Sequence, residues 1–214
     1  MNTLEKNLLN AVKFINLKKL SNAGFIVEKN QAIFYSGKII LKFKVENIQH
    51  TTRHFLVEMV KPGKAYEKCL HLIESINDKN TQPVLKAIDN YFNVNFENKL
   101  NLPRGEFFDF LEAIFKSDNE LTKYNNETSV KIESDILKIE NKFKQDSSDN
   151  FKELSFEYEI NNQQNFDFKI YTTFKFFLKF IKSKKQGFNF FGKKHGTDSL
   201  FLAKNNDFEI LALC

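Results

Sequence analysis

Apolar positions along this chain switch between a period near 3.6 and a period of two, and the switches predict its elements. Leu4, Leu8, Val12 and Ile15, with Leu9 and Leu20 alongside, form one stripe of a helix over residues 3–20. Phe25-Ile26-Val27, Ala32–Tyr35 and the alternating Ile39, Leu41, Phe43 and Val45 then predict a β-meander. Its turns fall at Lys29-Asn30-Gln31 and Ser36-Gly37, and Lys38, Lys42 and Lys44 form its outward row. His50–Glu58 is rich in β-branched and aromatic residues and reads as a strand. After the Pro62-Gly63 break, 64–77 reads as a helix with Tyr66, Cys69, Leu70, Ile73 and Ile76 inward. Thr81-Gln82-Pro83 opens another helix and Pro103 a third. Ile132, Ile136, Ile139 and Phe143 carry helical spacing and predict a fourth, with Glu133, Asp135 and Glu140 exposed. Leu154, Phe156, Tyr158 and Ile160 alternate, predicting a strand hairpinned to 165–171 with Glu157 opposite Lys169.

The most strongly patterned stretch is the last. From Phe174 to Ser183 the phenylalanines, Leu178 and Ile181 fill one arc of a helical wheel, and Lys175, Lys179 and Lys182 fill the other. Thr172 and Thr173 suit its N-terminus, and Gly187 suits its C-terminus. Short β-runs follow at 188–191, 199–203 and 208–213, with Asn205-Asn206-Asp207 as the turn between the last two. The fold class expected is α+β. An N-terminal helix, antiparallel meander and helical segment occupy 1–145, and a strand–helix–hairpin (β-α-β) unit occupies 151–214.

Composition narrows the class. Twenty-five of the 214 residues are Phe, against 7 Gly and 3 Pro, which fits a packed core and excludes a disordered chain. Two cysteines make no disulfide framework, and no apolar run reaches the ~18 residues of a membrane span. A cytoplasmic protein without membrane contact is expected. Net charge is +5, and its placement matters more than its size. Seven lysines and no acid lie between Lys175 and Lys194. Lys182, Lys184, Lys185, Lys193 and Lys194 are therefore the candidate phosphate contacts. Arg53 and Arg104 are the only arginines, which argues against base-specific reading.

Motif chemistry is sparse. There is no phosphate-cradling glycine loop, no C-x-x-C pair and no nucleophile elbow. His50, His54 and Glu58 share a face. On a helix they could share a metal, but on a strand they stand ~13 Å apart and cannot.

The loop Lys193–Asp198 ends in His195-Gly196-Thr197-Asp198, a G-x-D at the mouth of a strand before a hairpin. This resembles the front half of a PD-(D/E)XK nuclease core, and is similar to the nuclease subunit of the Hachiman anti-phage system. The resemblance implies that Asp198 binds a divalent metal such as Mg2+. It also implies an NTPase subunit as partner, in a bacterial or phage defence-type complex. The E-x-K of that family has no counterpart here, because Glu209 is followed by Ile210 and Leu211. The resulting expectation is a non-cleaving, nuclease-like scaffold that associates with nucleic acid without reading sequence, and that needs no cofactor. Two alternatives stand beside it. One is a protein-interaction or inhibitor subunit using the Phe face of the last helix, or the acidic helix near Glu133, with exposure of Phe176 and Phe180 as the discriminator. The other is an active metal-dependent nuclease, if the chain continues beyond Cys214.

Overall fold

The computed structural model describes residues 3–13, 22–45, 51–59, 70–75, 81–96, 99–100, 105–106, 108–110, 112–113, 127–133, 135–144, 151–159, 166–170, 172–184, 187–196 and 198–213, some by backbone alone. Its principal helices are α1 (Thr3–Ala11), α2 (Thr81–Phe92) and α3 (Thr172–Ser183). The strands are β1 (Gly24–Glu28), β2 (Gln31–Ser36), β3 (Ile39–Lys44), β4 (Arg53–Met59), β5 (Leu70–Ser75) and β6 (Lys99–Leu100). They continue as β7 (Glu127–Glu133), β8 (Ile136–Lys144), β9 (Phe151–Glu159), β10 (Phe166–Ile170), β11 (Asn189–His195), β12 (Asp198–Lys204) and β13 (Phe208–Leu213). The protein is α+β with mostly antiparallel sheets.

Two compact units are present. The first comprises Met1–Asn95, Lys179–Gly187 and Lys204–Leu211; the second comprises Phe96–Leu178, Phe188–Ala203 and Ala212–Cys214.

In the first unit the strands run β5-β4-β1-β2-β3-β13. Period-two alternation puts three registered rows on its two faces. Leu41, Phe34, Phe25, Phe55 and Glu74 form one row, and the four apolar members are buried. The neighbouring rows lie on the opposite face. They are Ile40–Tyr35–Gly24–Leu56–Ile73 and Lys42–Ile33–Ile26–His54–Ser75. Helix α2 meets this second face: Thr81 bonds His54, while Lys42 lies 3.9 Å over the Phe92 ring and 4.0 Å from Asp89. Leu85 and Ile88 are its buried side. Each fully buried Phe or Leu contributes about 1.5–3 kcal/mol of transfer free energy.

The second unit contains a four-stranded sheet, β10-β7-β8-β9, and the strands β12-β11-β6. Val130, Ile132, Leu137 and Ile139 form the sheet's buried side. Phe110 stacks on Phe156 at 4.8 Å. The opposite side carries an ion-pair ladder: Glu140 binds Lys138 at 3.0 Å and Lys131 at 3.8 Å, and Lys138 also reaches Glu157 at 3.5 Å. Both units use one plan. In β4-β1-β2-β3 and in β10-β7-β8-β9 a fourth strand returns beside the first, the Greek-key order. Helical backbone precedes each meander, α1 in one and residues 105–113 in part in the other.

Four sequence expectations change. The helix expected over Ile132–Phe143 is the β7–β8 hairpin. Two alternating strands reverse beside Asp135, so buried positions land at 130, 132, 137 and 139, and a turn inside alternation imitates helical spacing. Asp135 adopts φ 66°, the left-handed turn conformation that Asp tolerates. Residues 70–75 of the expected 64–77 helix are strand β5, held by pairing to β4; 60–69 lie outside the described residues. Strands β9 and β10 do not pair with each other. Strand β9 pairs with β8 and β10 with β7, so Glu157 faces Lys138, not Lys169. The loop expected over 193–198 is strand through His195, with Gly196 at φ 64° in the turn to β12. Helix α1 is described only as far as Ala11; 14–20 are not described.

Candidate nucleic-acid interface

Lysines on the exposed sides of helices make the candidate site. Helix α3 buries Phe177, Leu178, Phe180 and Ile181 and exposes Lys179 and Lys182. Phe177 meets Phe201 edge-on at 5.3 Å, and Phe180 meets Phe208 edge-on at 5.4 Å. Phe180 is fully buried, so its share of the Phe face belongs to the protein's own core. That weakens the protein-interaction reading so far as it relied on Phe180. The Phe176 side chain lies outside the described residues.

Lys184 closes the helix end, its backbone N–H donating to Ile181 O at 3.2 Å. Its ammonium stands 4.3 Å from the Phe208 ring centre and 5.2 Å from that of Phe180. Burial, seconded by the positive charge of Lys13, pulls its pKa below the ordinary lysine value. The influence of Lys13 brings the end of α1 into this basic neighbourhood. Lys6 on α1 and Lys86 on α2 are exposed as well. Lys6, Lys13, Lys86, Lys179, Lys182 and Lys184 all belong to the first unit.

Lys193 and Lys194 belong to the second unit, on β11. Lys194 is exposed and forms an ion pair with Asp167 of β10. Lys185 lies outside the described residues. Sequence reasoning missed Lys6, Lys13 and Lys86, because lysine is spread so widely that only a run without acids stands out.

Asp198 is the first residue of β12, and its side chain is not described. Of the His195–Asp198 motif, His195 ends β11, Gly196 adopts the turn conformation and Asp198 begins β12; Thr197 lies outside the described residues. Among the described residues no group of three or more His, Cys, Asp or Glu side chains could hold a metal. His54 and Glu58 both lie on strand β4, so their spacing is not helical, and His50 lies outside the described residues; the His54 ring nitrogens face Tyr35 and Thr81. Also among the described residues, no helix is long and apolar enough to cross a membrane.

No protein-family model and no curated protein sequence matches the chain. Solved structures do. A putative DNA polymerase III beta subunit from Eubacterium rectale aligns over 96% of this chain and 62% of its own, with TM-score 0.59 and 14% identity. The DNA polymerase III beta subunit of Thermotoga maritima aligns over 98% and 61%, with TM-score 0.53 and 12% identity. The DNA polymerase sliding clamp of Pseudomonas aeruginosa aligns over 98% and 62%, with TM-score 0.51 and 11% identity. This chain therefore spans less than two thirds of the length of each. The PD-(D/E)XK resemblance is overturned. A short G-x-D before a hairpin is a local turn pattern, whereas these likenesses extend over nearly the whole chain. The nuclease-like scaffold goes with it, as do the defence-complex setting and the active-nuclease alternative. The NTPase partner has no other support. The fold is that of the DNA polymerase sliding clamps.

Proposed function

We propose that this chain is a clamp-type DNA-binding protein, one that holds duplex DNA by its phosphates without reading sequence and performs no bond chemistry. The observation that carries this reading is the sliding-clamp fold over 96–98% of the chain. The lysine-bearing helices agree with it. Lys182 and Lys184, joined by Lys6, Lys13, Lys86 and Lys179, supply phosphate contacts from the first unit, with Lys185, Lys193 and Lys194 as further contacts. Having lysine as almost the only cation favours backbone contact over base readout, since bidentate guanine recognition draws on arginine. A DNA polymerase is the protein partner this reading implies, because the similar structures are polymerase clamps and polymerase subunits by name.

Fluorescence anisotropy on a labelled duplex, across a salt series, tests the proposal. Affinity falls steeply with salt, with a slope of about −0.9 per phosphate neutralised. Replacing Lys179, Lys182 and Lys184 together by Ala flattens that slope by roughly one for each phosphate left without its lysine. Lys142→Ala, exposed on β8, leaves it unchanged. An absence of binding at ~50 mM salt, or a triple variant with the wild-type slope, would overturn the proposal.

A further inference from the structure

Lys179 and Lys182 extend from the exposed side of α3, whereas Lys184 is half-buried and its ammonium has a fixed seat. It stands over the Phe208 ring, 4.3 Å from the centre, and 5.2 Å from the centre of Phe180. Phe208, the first residue of β13, is itself half-buried and meets the fully buried Phe180 edge-on at 5.4 Å. The backbone that carries the Phe208 ring is held by one residue. Asn205 Oδ1 accepts from the Phe208 N–H at 2.8 Å and from the Asp207 N–H at 2.9 Å, and the Asn205 N–H donates to the Phe208 carbonyl at 2.9 Å. The adjacent carboxylate, Asp207, pairs with Lys44 of β3 at 3.5 Å. Lys184, Phe180, Asn205 and Phe208 all belong to the first unit.

This seat changes what the lysine can do. A lysine ammonium is a compact charge on a flexible four-carbon stem, and ordering that stem weakens any contact it makes. An aromatic face attracts the ammonium electrostatically and restricts the stem before a ligand arrives. The ring takes one side of the ammonium, and its N–H donors can still reach a phosphate oxygen on another. Half-burial has already removed part of its water, so less remains to be displaced. The positive charge of Lys13 also acts on Lys184, and a bound phosphate relieves that repulsion.

We propose that Phe208 is a positioning residue for DNA binding: its ring holds the Lys184 ammonium ready for a backbone phosphate, and the Asn205 turn holds the ring. This inference rests on the phosphate-binding reading above.

Fluorescence anisotropy on a labelled duplex across a salt series, with single and double variants, separates the two. Phe208→Leu keeps an apolar cover on Phe180 and loses the π face. It weakens binding about two- to fivefold, the factor that a surface cation–π contact carries. The salt slope stays as in the wild type, because the charge remains. Phe208→Tyr keeps the face and binds as the wild type does. Lys184→Ala flattens the slope by about one, and in that background Phe208→Leu has no further effect. A ring with a purely structural role would give the same loss with and without Lys184. If Phe208→Leu fails to fold, pentafluorophenylalanine at 208 decides, since it keeps the shape and reverses the charge of the ring face. It weakens binding by the same factor, and wild-type affinity there overturns the inference. An absence of duplex binding by the wild type at ~50 mM salt overturns the phosphate reading and this inference together. Steep wild-type binding that Phe208→Leu leaves unchanged or tightens overturns this inference alone. So does a Phe208→Leu loss that persists in Lys184→Ala.

Discussion

At the scale of single residues, the first unit depends on places where a side chain is absent or committed. Gly24 shows this most directly. A methyl group there would meet the Tyr35 ring and stand 2.8 Å from the Phe55 carbonyl oxygen. The backbone oxygen cannot swing away as a side chain can. Gly24→Ala therefore destabilises the protein by about 1–3 kcal/mol, the usual cost of overpacking, measurable as a drop in urea midpoint. None of this was legible in the sequence. Glycine before Phe25-Ile26-Val27 reads as a strand boundary, and only the register Tyr35–Gly24–Leu56 reveals the ring lying across it. The histidines were likewise read through their spacing along the chain. The partners of His54 are 19 and 27 residues away, brought near by strand pairing and helix docking.

At the scale of elements, the period of the apolar pattern was right wherever one element ran uninterrupted. The meander of β1–β3, helix α2 and helix α3 were all legible, because burial follows a single period through each. Helix α3 accordingly rests on its aromatic side: Phe180→Ala leaves a void against Phe208 and costs about 3–5 kcal/mol in chemical denaturation. The reading failed where a tight turn interrupted alternation. Ile132, Ile136 and Ile139 fit a helix as well as they fit a hairpin, and the deciding feature is the backbone at Asp135. A β-branched residue resists its φ of 66°. Asp135→Val therefore destabilises the β7–β8 hairpin by about 1–2 kcal/mol, seen as loss of amide protection in those two strands. Pairing partners were the other failure. Adjacent strands usually pair, but here β10 crosses to β7 and leaves β9 against β8 alone, which no local pattern encodes.

At the scale of the whole molecule, the Greek-key order repeated in both units went unseen, because it lies in strand connectivity and not in recurring residues. The basic charge was legible; its distribution over helices was only half so, through α3. The nuclease resemblance rested on four residues where β11 gives way to β12, and a likeness extending along the chain outweighs it. A clamp is held on DNA while staying free to travel along it, and that combination separates it from a protein that merely sticks to phosphates. The decisive experiment is retention on a long duplex anchored at one end. The other end is either open or blocked by a bulky bound protein, and bound material is counted after a wash at moderate salt. A clamp survives the wash on blocked duplexes and runs off open ones. Equal loss from both would contradict clamp-type binding.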